Sequence, residues 1–538
     1  MLDEHVPARP QKPFRLMTAH AVRASLRNPL AAFFTLAFPL AFLIIVGTIV
    51  GGATTEEGVP VTQFLVAPFA VFGVAQASFT LTAVETAVLR ESGVLLRLHA
   101  APIPAAAVVA ARICASAVAA GSAVLLLTAV GVLAYDVEIV WNKVPAMLIT
   151  LALGIACCAA LGIALASSVR TVTATQALAQ GILIPLAFVS DVFIVNVDLP
   201  QPLELLGSFL PLKHLALATA ETFRPGAGAG FSPQHLAVLA VWAVVGVLIA
   251  RHRYGWTPHE LGGGPASTRT PGPARTHLSN PLEPGRRSPF MALHGQISYA
   301  LLGMRRDALS VFFALIFPAM LLALFPTVFG DARVHGMAMA QYLFAGLTAY
   351  TIAVTAYVDM PEGLVAARTA GVLKRLLGTP LPFGAYVAGR VCVALLTALL
   401  GGTVLAAIGI GFLGVRLDAA RLPAVLLAAV LGSLCFSAMG AALAALLPRA
   451  RSLVAVTLGT LLPLSFLSEI FVVGDQPLPG ELTALADLFP LRHLLQALLT
   501  ATRPDGTGAG FAWGHLTAIA AWALVALAVA RRRRAGLV

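Results

Sequence analysis

Apolar residues run along this chain in long blocks broken by short polar segments. A helix needs about 20 apolar residues to cross the hydrocarbon of a bilayer. Blocks of that length occur at 29–52, 60–84, 105–134, 144–168, 172–195 and 231–250, then at 308–330, 337–358, 383–414, 422–447, 452–473 and 511–530. The pattern therefore predicts an all-α polytopic membrane protein with about twelve transmembrane helices. Composition agrees: 59% of the 538 residues are apolar, 11% are charged, and the mean hydropathy is +0.89, outside the soluble globular range. Residues 1–28 carry no small-residue cleavage pattern after a short apolar core, so the first span is expected to direct insertion.

The net charge of +11 raises the question of nucleic acid, and its distribution answers otherwise. With both termini cytoplasmic, 27 of the 35 Lys and Arg fall inside and 8 outside, against 9 acidic residues inside and 15 outside. This positive-inside asymmetry sets the orientation. The run Arg531 to Arg534 after the last span then reads as a cytoplasmic stop anchor. All five cysteines lie in expected spans, with no metal or disulfide spacing.

Shifted by 278 residues, the chain matches itself: Gln63 meets Gln341, Arg90 meets Arg368, Gly93 meets Gly371, Arg97 meets Arg375, Arg112 meets Arg390 and Phe188 meets Phe466. Slightly later PLKHL at 211–215 meets PLRHL at 490–494. Two halves, 1–250 and 289–538, follow, each with six spans. An even span number makes the repeats parallel, related by an axis along the membrane normal. Residues 251–288 between them are rich in Gly, Pro, Ser, Thr and Arg and read as a flexible cytoplasmic linker.

No phosphate cradle of the G-x-x-x-x-G-K-[ST] kind is present: Lys12, Lys143, Lys213 and Lys374 follow Gln, Asn, Leu and Leu. His259-Glu260 lacks the second histidine of a zinc-hydrolase motif. Ionisable residues are nearly missing from the middle of the spans. Arg112, Arg390, Asp191 and Glu469 sit near span ends, where snorkelling or pairing between helices accounts for them without a transport role.

Each half opens with an amphipathic basic stretch, 13–29 and 289–307, suited to the headgroup plane. A first span follows, interrupted by Phe38-Pro39 or Phe317-Pro318. Between spans 2 and 3 stand ETAVLRESGVLLRLHAAPIPAAAVVAAR at 85–112 and EGLVAARTAGVLKRLLGTPLPFGAYVAGR at 362–390. Each reads as a short basic helix broken at Gly93 or Gly371 and ended by a Pro-x-Pro turn, able to lie on lipid or to dock a partner.

The R-E-x-G-x-L-x-R-L pattern with its Pro-x-Pro turn, after an amphipathic elbow and two spans, resembles type-2 ABC export permeases. The resemblance covers about nine-tenths of the chain. It implies that Arg90, Glu91, Gly93 and Arg97, with Arg368, Gly371, Lys374 and Arg375, contact an ATPase. FVSDVFI with PLKHLALA, and FLSEIFV with PLRHLLQA, are similar to the family's segment between spans 5 and 6, which implies a re-entrant outer stretch there. A fused double permease of this kind looks most like actinobacterial multidrug and tetronasin-type antibiotic exporters. Thr369 departs from the pattern where the first half has Glu91.

The resemblance implies a chain without catalysis of its own, exporting hydrophobic drugs or antibiotics on the power of two ABC ATPase copies supplied in trans, with ATP and Mg bound by that partner and no cofactor by this chain. A proton-coupled secondary transporter is the alternative, disfavoured by the lack of deep ionisable residues; a membrane scaffold or channel is a third. Family second spans line the path between halves. Here that assigns Phe64, Phe72, Gln76 and Phe79 facing Tyr342, Tyr350 and Tyr357, with the fifth spans adding Gln176, Gln180, Phe188 and Phe466. At about 100° per residue each aromatic trio shares one helical face; packing in a core is the plain alternative.

Orientation gives the first testable prediction. A cysteine placed in the linker by Gly263→Cys should stay unlabelled by an impermeant thiol reagent on intact cells and react once the membrane is opened.

Overall fold

The computed structural model describes residues 11–51, 53–55, 58–101, 103–193, 200–226, 228–253, 289–305, 307–330, 332–379, 381–447, 450–471, 480–504, 506 and 508–533. The linker from 254 on, Glu56-Glu57, Pro102, Pro380, Arg534 and the 474–479 stretch lie outside the described residues.

Helices dominate what is described. In the first half they are α1 (Gln11–Leu26), α2 (Pro29–Thr48), α3 (Val61–Glu91), α4 (Val94–Ala100), α5 (Ala105–Tyr135), α6 (Trp141–Ser168), α7 (Val172–Val189), α8 (Gln201–Phe209), α9 (Pro211–Phe223) and α10 (Pro233–Arg253). The second half gives α11 (Pro289–Arg305), α12 (Ala308–Phe329), α13 (Met339–Thr369), α14 (Val372–Leu377), α15 (Phe383–Phe412), α16 (Ala419–Leu446), α17 (Ala450–Leu467), α18 (Gly480–Ala486), α19 (Pro490–Thr502) and α20 (Trp513–Arg532). One two-residue hairpin, Arg333–Val334 with Met337–Ala338, precedes α13.

Eleven of these helices are long and apolar enough to cross a membrane. The twelfth expected span is α17, whose apolar run Ser452–Leu467 is shorter, and the next two helices, α18 and α19, meet at 94°. The fifth spans were expected to reach 195 and 473. They stop at Val189 and Leu467, because the chain turns at Asp191 and Glu469, which take left-handed φ of 57° and 64°.

Central and peripheral spans separate by burial. The most apolar windows of α3 and α13 are each 94% buried, whereas those of α10 and α20 are 11% and 22% buried and turn their sides to lipid. A π-helical turn interrupts each first span, at Phe33–Ala37 and Phe312–Ile316, just before Phe38-Pro39 and Phe317-Pro318. Proline cannot donate the bond four residues back, and a wider turn accommodates that loss. Close approach to this kink needs a glycine, and the two halves supply it from different helices. A Cβ on Gly73 of α3 would meet the Thr35 carbonyl at 3.0 Å and Ala123 of α5 at 3.1 Å. In the second half, a Cβ on Gly401 of α15 would meet the Ala314 carbonyl at 3.2 Å and Thr351 of α13 at 2.5 Å.

Helix ends within the bundle are satisfied by side chains. Gln63, 2% exposed, donates to the carbonyls of Glu138 at 3.0 Å and Phe223 at 2.8 Å, and accepts the Glu138 N–H at 2.8 Å. Gln341 repeats every bond: it donates to Arg416 and Thr502 carbonyls at 3.0 and 2.7 Å and accepts the Arg416 N–H at 2.9 Å. Lys143, 3% exposed, donates to the Glu221 and Arg224 carbonyls at the end of α9, and Arg421, 4% exposed, to those of Arg503 and Gly506 beyond α19.

Removing the amide strands buried backbone groups, each worth about 1–3 kcal/mol when left unpaired. Gln341→Leu is therefore expected to lower the thermal unfolding midpoint of the detergent-purified protein by several degrees, with a smaller drop for the exposed control Gln234→Leu.

Candidate functional site

The duplicated loops share one geometry. Gly93 and Gly371, at φ of 70° and 69°, let the chain turn from the end of a second span into a short helix, a conformation that a side chain would strain. On that helix one leucine points inward, Leu95 in α4 and Leu373 in α14, each 1% exposed. Arg97, Lys374 and Arg375 point outward and are exposed. Each loop thus presents cations on a helix pinned from beneath by an apolar anchor.

Arg90, expected among the outward contacts, points inward instead. It is 3% exposed, and its guanidinium donates to the carbonyls of Ala166, Val169 and Arg170 at the end of α6. Glu91 is exposed, yet its carboxylate accepts the Val172 N–H at 2.9 Å, at the start of α7. In the second half Arg368 is half-buried, and Thr369 turns its hydroxyl back on the Ala366 carbonyl at 3.0 Å. Arg112 pairs with Glu85 across α5 and α3.

Where the halves meet, α2 lies against α17 and α7 against α12. Aromatic rings fill this seam. Phe72 touches Phe193 at 4.9 Å between ring centres, Phe193 touches Phe42 at 5.2 Å, and Phe42 crosses to Phe466 of the other half at 4.0 Å. Phe466 meets Phe471 at 4.9 Å, which meets Tyr350 at 5.3 Å. Phe188 crosses to Phe325 at 5.8 Å on the other side. Four of the residues expected on the path, Phe72, Tyr350, Phe188 and Phe466, are therefore brought together. The seam also uses Phe42, Phe193 and Phe471, which were not singled out. Phe193 and Phe471 coincide under the same 278-residue shift, a signal already present in the sequence.

The tyrosine face exists, but α17 and the turn after it cover it. Tyr342 donates to the Glu469 carbonyl at 3.0 Å, Tyr350 packs on Phe471, and the Tyr357 hydroxyl bonds that of Thr460 at 2.9 Å. Tyr342 and Tyr350 are both 0% exposed, so the hydroxyl-bearing side is packed shut rather than open. Gln76 and Gln180 are buried and bonded to each other at 3.2 Å; Gln176, Phe64 and Phe79 are half-buried. Phe79 and Tyr357 lie inside π-helical turns, Gln76–Leu81 and Val354–Asp359, so uniform α-helical angles do not locate them.

At the opposite end from the loops, Asp191 lies 3.7 Å from Lys213, and Glu469, 3% exposed, pairs with Arg492 at 2.8 Å with His335 at 3.6 Å. Burial pushes the Asp191 carboxyl above its ordinary value, while Lys213 pulls it the other way. Two histidine pairs recur there, His214 with His235 at 2.8 Å and His493 with His515 at 2.9 Å.

The second half also holds a cavity of about 360 Å³ between α11, α12, α13 and α15, lined by Asp307, Asp359, Glu362 and Arg390. The first half has Leu81 and Val84 where Asp359 and Glu362 stand, so the repeat itself hid this feature. Among the described residues no group of three or more His, Cys, Asp or Glu is arranged to hold a metal.

A family model described as ABC-2 type transporter matches residues 12–222 and 297–502. No curated protein matches the chain.

Proposed function

The chain belongs to the ABC-2 type transporter family, whose members are transmembrane components of ABC transporters and partner ABC ATPase subunits, and from that premise we propose that it is a fused double permease exporting hydrophobic compounds. Two ATPase copies supplied in trans would bind and hydrolyse Mg-ATP; this chain would supply the path and the coupling. The proton-coupled alternative is not favoured by the family match.

The observation that carries the reading is the pair of short basic helices, each set by a left-handed glycine, anchored by a buried leucine and offering cations outward. In the proposed topology both termini, the linker and these loops are cytoplasmic, α1 and α11 are elbow helices in the headgroup layer, and α8–α9 and α18–α19 are re-entrant outer segments. The 94° bend between α18 and α19 supports a re-entrant segment in the second half, and the matched bonds of Gln63 and Gln341 support treating the halves as equivalent around a membrane-normal axis.

In this reading Arg97, Lys374 and Arg375 bind the ATPase, and Arg90 and Arg368 shape the loops from within. Closure of the ATPase pair on ATP would rock the halves about the aromatic seam, and substrate would pass along the seam to which Phe72, Phe188, Phe466 and Tyr350 contribute. Such a seam offers π surface and few fixed charges, which suits bulky hydrophobic drugs or antibiotics of the kind moved by actinobacterial multidrug exporters. The transport cycle then depends on differential affinity for two states of one bundle.

Two outcomes test this. The double variant Arg97→Glu, Arg375→Glu should insert normally, lose most of its co-purifying ATPase and abolish ATP-dependent efflux; unchanged ATPase recovery and efflux would leave lipid headgroups as the partner of these cations. Phe72→Ala with Tyr350→Ala should change which drugs stimulate ATP hydrolysis by the assembled complex, and an identical drug profile would reduce the seam to packing.

A further inference from the structure

The Arg90-Glu91 pair stands at a place where two helix ends meet it. Helix α6 ends at Ser168 and α7 begins at Val172, so only three residues separate a helix C-terminus from a helix N-terminus. The last carbonyls of one and the first N–H groups of the other lack intrahelical partners, and the two macrodipoles place negative character at the first and positive at the second. Arg90 puts a guanidinium on the carbonyl end, bonding Ala166, Val169 and Arg170. Glu91 puts a carboxylate on the N–H end, bonding Val172. The order of charges along α3 matches the order of the helix ends, and every bond is charge-assisted.

We propose that Arg90 and Glu91 are positioning residues that clamp the first coupling loop to α7, so that movement of α4 is carried into the second half through α7, and that the first loop is the stronger transmitter of the two. The clamp sits immediately before Gly93 and α4, the helix whose Arg97 faces outward. Its other end, α7, packs on α12 of the second half: Phe188 meets Phe325, and a Cβ on Gly181 would lie 3.6 Å from the Phe312 ring. A pull on α4 thus acts on the cytoplasmic end of a helix that forms the seam. The second half has no carboxylate at this position, since Thr369 is uncharged and its hydroxyl bonds within its own helix.

This inference rests on the proposed docking of an ATPase at the loops, and its test separates the two. The full chain is reconstituted with its ATPase in vesicles, as wild type, Glu91→Ala, Thr369→Ala and Thr171→Ala. Thr171 also caps α7, accepting the Ala174 N–H at 3.2 Å, but does not join it to the loop. Glu91→Ala should keep the ATPase bound and hydrolysing ATP while transport per ATP falls at least fivefold. Thr369→Ala and Thr171→Ala should stay within twofold of wild type in transport per ATP, and Glu91→Asp should recover part of the loss. Spin labels on Ser92→Cys and Thr173→Cys, in a background lacking the native cysteines, should move together on ATP binding and lose that correlation in Glu91→Ala. Loss of the ATPase from Glu91→Ala would make Glu91 a docking contact and overturn the clamp. An equal defect in Thr171→Ala would reduce it to helix capping, and equal defects in Glu91→Ala and Thr369→Ala would overturn the asymmetry. A wild-type chain that recruits no ATPase would fail the export reading itself.

Discussion

A backbone N–H or carbonyl that ends a helix inside a low-dielectric bundle has no water to turn to, and leaving it bare costs several kcal/mol. Much of this protein's scarce polarity answers that constraint. Gln63 and Gln341 each bind one N–H and two carbonyls, Lys143 and Arg421 close the ends of α9 and α19, and Arg90 and Glu91 close the gap between α6 and α7. These residues would pass for a transport pathway if only their charge and depth were considered. Their hydrogen-bond partners are main-chain atoms, with Glu221 beside Lys143 and Asp418 beside Arg421, which makes them fasteners of the bundle.

The same constraint explains what could and could not be read along the chain. Span positions and the 278-residue repeat depend on composition and spacing, so eight of the twelve expected spans emerge close to their expected limits, while the second spans, expected to end at 84 and 358, run on to Glu91 and Thr369. The fifth spans end early because Asp191 and Glu469 adopt left-handed backbone, which hydropathy does not encode. Arg90 looked like a surface residue because arginine in a loop motif usually is one; only the fold brings the end of α6 beneath it. The tyrosine trio does share a face, but which neighbour covers a face is a tertiary fact, and α17 covers this one. The carboxylates at 359 and 362 escaped notice because their first-half counterparts are apolar.

Among the described residues, rings rather than ion pairs join the two halves at their seam. Edge-on contacts such as Phe42 against Phe466, 4.0 Å apart at 65°, are short-ranged and carry no net charge to separate when broken. Buried ion pairs at the seam would make opening expensive, because each partner would be stranded. An aromatic seam can be parted and re-formed with other apolar surface in its place, which is what the proposed passage of a hydrophobic molecule would require. The clamp at Arg90 and Glu91 complements this, since a stiff connection is useful only where the surface it drives can yield.

The exchanged glycines at the first-span kinks have a consequence for ancestry. One half keeps its small residue at 73 opposite Ala123, the other at 401 opposite Thr351, and either arrangement leaves room for one side chain only. Recombination that copied the second span of one half over that of the other would produce either two side chains in a space for one or two glycines around a void. At this kink the two repeats therefore differ in one compensated pair, so exchange of the second spans alone is expected to destabilise the bundle. The halves resemble each other enough to align, yet at this kink a segment of one does not fit in place of its counterpart.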